Sequence, residues 1–407
     1  MAISSSHIVN KLQQYRQEMK DELSSILHYW QEHTMDETNG GFWGKINNQN
    51  IPDVYAPKGV VLNARILWTF SAAYSFTQNK EHLQIAERAF FYLLTYFKDP
   101  EYGGVYWSVD YKGTRLENRK QIYGLSFVMY GMSEFYSATQ NEAALRFAKE
   151  LFITIEQHSF DAKQNGYFEA FARDWKSLND LRLSLKDANA SKTANTHLHI
   201  VEAYANLYKI WQNQTLKEKI ENLLFLFDEY FINKQTNHLT LFFDDEWNEQ
   251  PDVISYGHDI EAAWLLLQCA ETIDNEQWIL VYQQHAKSLA DAASEGLNKD
   301  GGMWYEYEIQ HKKIIKQKHW WPQAEAMIGY LNAYQITGDE KYLQHSLNGW
   351  KFVQKQILDT HNGEWFWGVD EAYQIMPNED KAGFWKCPYH NARACMEVIK
   401  RIDKQNL

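Results

Sequence analysis

A short aromatic stretch opened by glycine recurs along this chain, and its spacing constrains the fold more than any other feature. "NGGFWG", "YGGVYW", "NGYFEA", "DGGMWYE" and "NGEWFWG" place their first glycines at Gly40, Gly103, Gly166, Gly301 and Gly363. The successive intervals are 63, 63, 135 and 62 residues, and the long one is close to two periods. A sixth member is expected near residue 238, where "TNHLTLFF" has the aromatic end without a glycine. A fixed period is the mark of a repeat architecture.

Each unit has the same content. A turn glycine precedes a short alternating aromatic segment, which reads as a small strand or hairpin. Two helical patterns follow. They cover 58–74 and 81–97, 120–138 and 141–159, 192–212 and 216–231, 257–273 and 276–295, and 321–337 and 340–357. The sixth unit has one following helix, 389–402, and its partner is the N-terminal helix, about 8–33. A first helix that completes the last pair predicts a ring. The prolines at 52, 57, 100, 251, 322, 377 and 388 all sit in predicted loops or first helical turns, where a missing N–H is tolerated. No Pro/Gly/Ser-rich linker divides the chain. The expected fold is all-α: a single (α/α)6 barrel of twelve helices over residues 1–407, with short β-hairpins in the loops at one end. A superhelical solenoid is the alternative.

Composition narrows the partners. No run approaches the ~20 apolar residues of a membrane span. A net charge of −13, with no long lysine/arginine cluster, argues against nucleic acid. Cys269, Cys387 and Cys395 form no CxxC pair, so no disulfide framework or structural zinc site is expected. The polar N-terminus lacks the pattern of a secretory leader. Together these predict a cytoplasmic chain, monomeric or weakly dimeric. The 16 Trp, 25 Tyr and 21 Phe are mostly core, yet aromatic rings also stack on sugar faces, which raises the case for a carbohydrate site.

In a ring of this kind the starts of the first helix of each unit surround a central pit. The polar residues there are Arg65 in "LNARILW", Tyr123 in "RKQIYGLSF", and Asn195 and His199 in "KTANTHLHIVEAY". His258, Glu261 and Trp264 follow in "SYGHDIEAAWLLL", then Trp321 and Glu325 in "HWWPQAEAM", and His390 in "CPYHNAR". His258, Glu261 and Trp264 share one helix face. Singly, each has an ordinary reading: a satisfied core histidine, a carboxylate bonded to a neighbouring helix, a packing indole. Placement at equivalent points of several units is what packing alone does not produce. His28, His82 and His345 lie outside this register and read as surface or structural.

A metal is not expected, because no HExxH or clustered-carboxylate spacing occurs. No glycine-rich loop opens a helix after a buried strand, so no phosphate cofactor is expected. Glu261 and Glu325 as the two carboxylates of a glycoside hydrolase remain a reading of their own, one that leaves three histidines without work. Histidine takes and gives protons near neutrality. Two of them on opposite faces of a carbon would epimerise it, with an arginine stabilising the enediolate between the steps.

These stretches resemble those of the N-acylglucosamine 2-epimerase superfamily, and among them the cellobiose 2-epimerases. "SYGHDIEAAWLL", "NTHLH", "WWPQAEA" and "NAR" at 63 carry the resemblance, which spans the whole chain. It implies inversion of C2 of a reducing-end aldose without metal or oxidised cofactor. It implies His258 and His390 as the acid/base pair, His199 as a third essential histidine, Arg65 on the C1 and C2 oxygens, and Glu261 orienting a catalytic imidazole. It puts Tyr123, Asn195, Trp264, Trp321, Glu325 and Trp385 at the sugar, with Trp385 of "GFWKCPYH" under a non-reducing glucose. The implied substrate is a β-1,4-linked disaccharide. N-acetylglucosamine and mannose are the alternatives within the family, and a catalytically silent sugar-binding protein the alternative outside it.

Overall fold

In the computed structural model, which describes residues 2–184, 186–250 and 253–404, the repeat becomes six helix pairs. The first six helices are α1 (Ala2–His33), α2 (Val60–Thr77), α3 (Lys80–Tyr92), α4 (Ile122–Thr139), α5 (Glu142–His158) and α6 (Ala194–Ile210). The others are α7 (Gln214–Leu226), α8 (Tyr256–Thr272), α9 (Glu276–Ala293), α10 (Trp320–Thr337), α11 (Glu340–Phe352) and α12 (Tyr389–Lys404). The even-numbered helices touch in order around an inner ring, and α12 closes it against α2. Each odd-numbered helix covers an inner one, and α1 covers α12. This closure selects the expected (α/α)6 barrel over the solenoid.

Local sequence explains the two rings. Inner helix α2 is buried without a break from Val60 to Ala73, as a helix packed on every side must be. Outer helix α5 buries one stripe, including Ala144, Phe147, Ala148, Leu151 and Ile155, at the spacing of one helical face. The outer starts repeat a cap: Asn79, Asn141, Asn213, Asn275 and Asp339 each accept a first-turn N–H from the N-cap position. Close approach of inner helices needs glycine. A Cβ on Gly131 would lie 2.8 Å from the Ala64 carbonyl oxygen, and one on Gly329 2.6 Å from that of Ile260.

The strands lie at the rim where inner helices begin. Most of them pair between neighbouring units. The strand before each of α2, α4, α6, α8 and α10 runs antiparallel to the strand after the next turn, as in Lys58 opposite Val109 and Lys192 opposite Phe243. Hairpins proper occur at 108–117 and 306–315. In the unit without a glycine, Asn237 takes the left-handed turn position at φ 60°, a conformation asparagine tolerates better than most residues.

Buried lysines hold these turns. Lys58, Lys120, Lys192, Lys318 and Lys381 reach turn aspartates Asp36, Asp99, Asp161, Asp300 and Asp359 at 2.6–2.9 Å. In unit four His238 Nδ1 meets Asp259 of α8 at 2.7 Å instead. The prolines fall as expected, except that Pro251 lies outside the described residues. No helix among the described residues is long and apolar enough to cross a membrane.

Candidate active site

The starts of the inner helices surround a cavity of about 380 Å³ at the rim end of the barrel. Arg65, Tyr123, Asn195 and His199 line it from α2, α4 and α6. His258, Glu261, Trp321 and His390 line it from α8, α10 and α12, with Trp385 from the loop before α12. Tyr123, Asn195, Trp321 and His390 each stand second in their helix, so the repeat delivers them to one level.

Arg65 Nη2 donates to Tyr123 Oη at 2.8 Å, and its guanidinium lies 4.2 Å from the centre of the Phe127 ring. His199 stands edge-on to Tyr123, with ring centres 5.1 Å apart. Trp321 is flanked by two imidazoles, its ring centre 4.8 Å from that of His258 and 5.8 Å from that of His390. Trp385 lies near Tyr123 and Trp107, with ring centres 5.9 and 5.8 Å away. Buried Arg65 Nε and Asn195 Oδ1 have no protein partner.

Behind the cavity each imidazole is held at Nδ1. His390 Nδ1 meets Glu325 Oε1 at 2.6 Å, His199 Nδ1 meets Glu202 Oε2 at 2.8 Å, and His258 Nδ1 meets Ser255 Oγ at 2.8 Å. A carboxylate only accepts, so His390 and His199 carry hydrogen on Nδ1, and Nε2 is the nitrogen left for the cavity. Burial lowers the pKa of all three rings. His258 is held down to about 3, by burial first and then by His199.

Arg393 joins the carboxylates into one network. It donates through Nη1 to Glu202 at 2.5 Å, and through Nη2 to Glu325 at 2.7 Å and Glu261 at 2.8 Å. Burial pushes Glu202 up, but Arg393, His199 and Tyr389 outweigh it and hold it at about 2. Burial and then repulsion from Glu325 raise Glu261. Ligand atoms of Glu261, Glu325 and His390 lie within 4.8 Å of one another, a spacing that suits a metal, but Arg393 donates to both carboxylates and supplies a cation there.

Residues 41–394 match the family model of the N-acylglucosamine 2-epimerases. The chain belongs to that family. It is 48% identical over 385 residues to the cellobiose 2-epimerase of Bacteroides fragilis, covering 94% of this chain and 98% of that protein. The cellobiose 2-epimerase of Dictyoglomus turgidum is 40% identical over 383 residues, 93% of this chain and 96% of its own. The solved cellobiose 2-epimerase of Bacillus thermoamylovorans superposes with a TM-score of 0.90 at 39% identity, over 96% of this chain and 100% of that one. Membership in the N-acylglucosamine 2-epimerase family makes the chain an isomerase acting on sugars.

In this epimerase three expected site residues make other contacts than the sequence suggests. Glu261 lines the cavity, but its carboxylate accepts from Arg393, and His258 is bonded to Ser255 instead. A shared face on α8 brought Glu261 near His258 in sequence, while an arginine from α12 claims it in space. Trp264 is 1% exposed, does not line the cavity, and donates its indole N–H to Glu325 at 3.0 Å. It lies deeper along α8 than His258. Glu325 is fully buried, does not line the cavity, and stands behind His390.

Sequence reasoning missed Ser255, Glu202 and Arg393. Glu202 shares the helix face of Asn195 and His199, and Arg393 lies three residues after His390, so each carried a positional signal. Nothing in the order of residues joins them to each other.

Proposed function

We propose that this family member inverts C2 of the reducing-end aldose of β-1,4-linked disaccharides, turning cellobiose into glucosyl-mannose and lactose into epilactose. The observation that carries this is the pair of imidazoles flanking Trp321, each tied at Nδ1 so that Nε2 is left for the cavity. With the sugar open as an aldehyde, Nε2 of one neutral imidazole takes the C2 proton. The C–H electron pair moves toward C1 and leaves an enediolate. The other imidazole, entering the step protonated, returns a proton to C2 from the opposite face. The two rings exchange roles in the reverse direction.

Arg65, with Tyr123 hydrogen-bonded to it, holds the C1 and C2 oxygens as negative charge gathers on the C1 oxygen. That negative charge opposes the depression of the imidazoles and raises their hold on a proton as the reaction proceeds. Asn195, in the cavity wall, bonds a sugar hydroxyl. His199, oriented by Glu202, binds the substrate and assists ring opening. The disaccharide is supported by the extent of identity to proteins named cellobiose 2-epimerase and by Trp385 as a platform for a second ring.

Incubation with cellobiose, lactose, mannose and N-acetylglucosamine, with chromatography of the products, tests the substrate. Cellobiose and lactose epimers are the expected products. Turnover of cellobiose labelled with deuterium at C2 tests the chemistry. A primary isotope effect with loss of label to water is expected. Normal turnover with the label retained and no isotope effect would exclude cleavage of C2–H.

Trp385→Ala separates the two sugar positions. Stacking outside the reacting ring contributes remote binding energy that positions C2. The specificity kcat/KM for cellobiose is expected to fall on the order of tenfold, with a much smaller change for mannose. Equal losses on both would place Trp385 at the reacting ring.

A further inference from the structure

The three imidazoles of the cavity differ in what stands behind them. Glu325 and Glu202 are carboxylates, whereas the partner of His258 is an uncharged hydroxyl, that of Ser255. Ser255 occupies the N-cap of α8, where a serine ordinarily accepts a hydrogen bond from a first-turn N–H. Here its side chain makes no cap bond. The threonine in the same position of α6, Thr193, does cap, accepting from Thr196 N. Ser255 is 1% exposed, and its backbone is pinned in a strand opposite Glu306, itself a lining residue of the cavity. The hydroxyl is thus diverted from the helix and mounted rigidly against Nδ1 of His258.

A hydroxyl both donates and accepts. When it accepts from Nδ1–H, Nε2 keeps its lone pair and serves as a base. When it donates to Nδ1, Nε2–H faces the cavity as a hydrogen-bond donor. A carboxylate permits only the first arrangement.

We infer that Ser255 is a positioning residue for His258: it orients the ring while leaving both neutral tautomers open and adding no charge behind it. This rests on the reading of His258 as an acid/base group. Being uncharged, Ser255 also keeps His258 a weaker base than a carboxylate partner would make it, so a captured proton is readily released.

The test compares Ser255→Ala, Ser255→Thr, Ser255→Asp and His258→Asn in the intact enzyme with cellobiose. Ser255→Ala is expected to lower kcat roughly ten- to hundredfold, the loss that follows removal of a partner behind a metal-bound imidazole. KM and melting temperature should change little, because no cap bond is lost. Ser255→Thr restores the hydroxyl and should recover most of kcat. Ser255→Asp should move the acidic limb of kcat/KM to higher pH, because a carboxylate raises the proton affinity of His258. A Ser255→Ala enzyme that melts lower but keeps its kcat is an ordinary cap, and overturns the inference. So does an unmoved acidic limb in an active Ser255→Asp enzyme. Near-normal turnover by His258→Asn would instead overturn the acid/base reading beneath it.

Discussion

Replacing His390 or His258 by asparagine is expected to reduce epimerisation of cellobiose by at least ~10²-fold and up to ~10⁴-fold, the range for one general acid/base group. Inversion at C2 needs a base on one face and an acid on the other, so neither imidazole substitutes for its partner. The double variant should be little worse than the poorer single one, because a broken relay is not broken twice. Kinetics of the three enzymes, with circular dichroism to confirm native helix content, decide this. Fully multiplicative losses would mean that the two rings work independently.

Arg393→Met is expected to cost about 3–5 kcal/mol of stability, the usual consequence of removing one partner from a buried ionic network. The substitution leaves Glu202, Glu261 and Glu325 within a few per cent of full burial and without their shared cation. Urea unfolding measures the loss, and its pH dependence carries the signature. Without Arg393 the folded-state pKa values of Glu261 and Glu325 rise further above their unfolded value of about 4.3, and Glu202 loses the main partner that holds it at about 2. A group raised in the folded state contributes stability at pH below its unfolded pKa and loses it as pH climbs toward the folded one. The deficit of the variant should therefore be smaller near pH 4, where only the loss at Glu202 is felt, and grow toward neutrality. Activity should fall with it, because Glu325 and Glu202 hold His390 and His199 through the same network. Arg393→Lys keeps the charge but loses the forked donation, and should fall between. Equal stability of Arg393→Met and the parent at every pH would show that the arginine contributes nothing net to the fold.

Much of the architecture is legible along the chain because its causes are local. The glycine period, the all-round apolar inner helices and the capping asparagines at Asn79, Asn141, Asn213 and Asn275 each act within one unit. The missing glycine of unit four misleads only slightly, since Asn237 adopts the same left-handed turn. The cavity wall is legible for the same reason. Tyr123, Asn195, Trp321 and His390 hold one position in their helices, so a ring of similar units brings them to one level.

What stands behind that wall was not legible. The family resemblance implied Glu261 as the support of a catalytic imidazole, yet Ser255 holds His258, Glu325 holds His390 and Glu202 holds His199. Arg393 reaches Glu202 across 191 residues of sequence and Glu261 across 132. Sequence by itself determined the six helical units and the level at which Tyr123, Asn195, Trp321 and His390 meet, because period, propensity and burial pattern are properties of short segments. Only the tertiary structure decided which carboxylate meets which imidazole. Those pairings depend on how six helices from distant parts of the chain lean together around one buried arginine, and a side chain on a shared face bonds whatever the neighbouring helix brings to it.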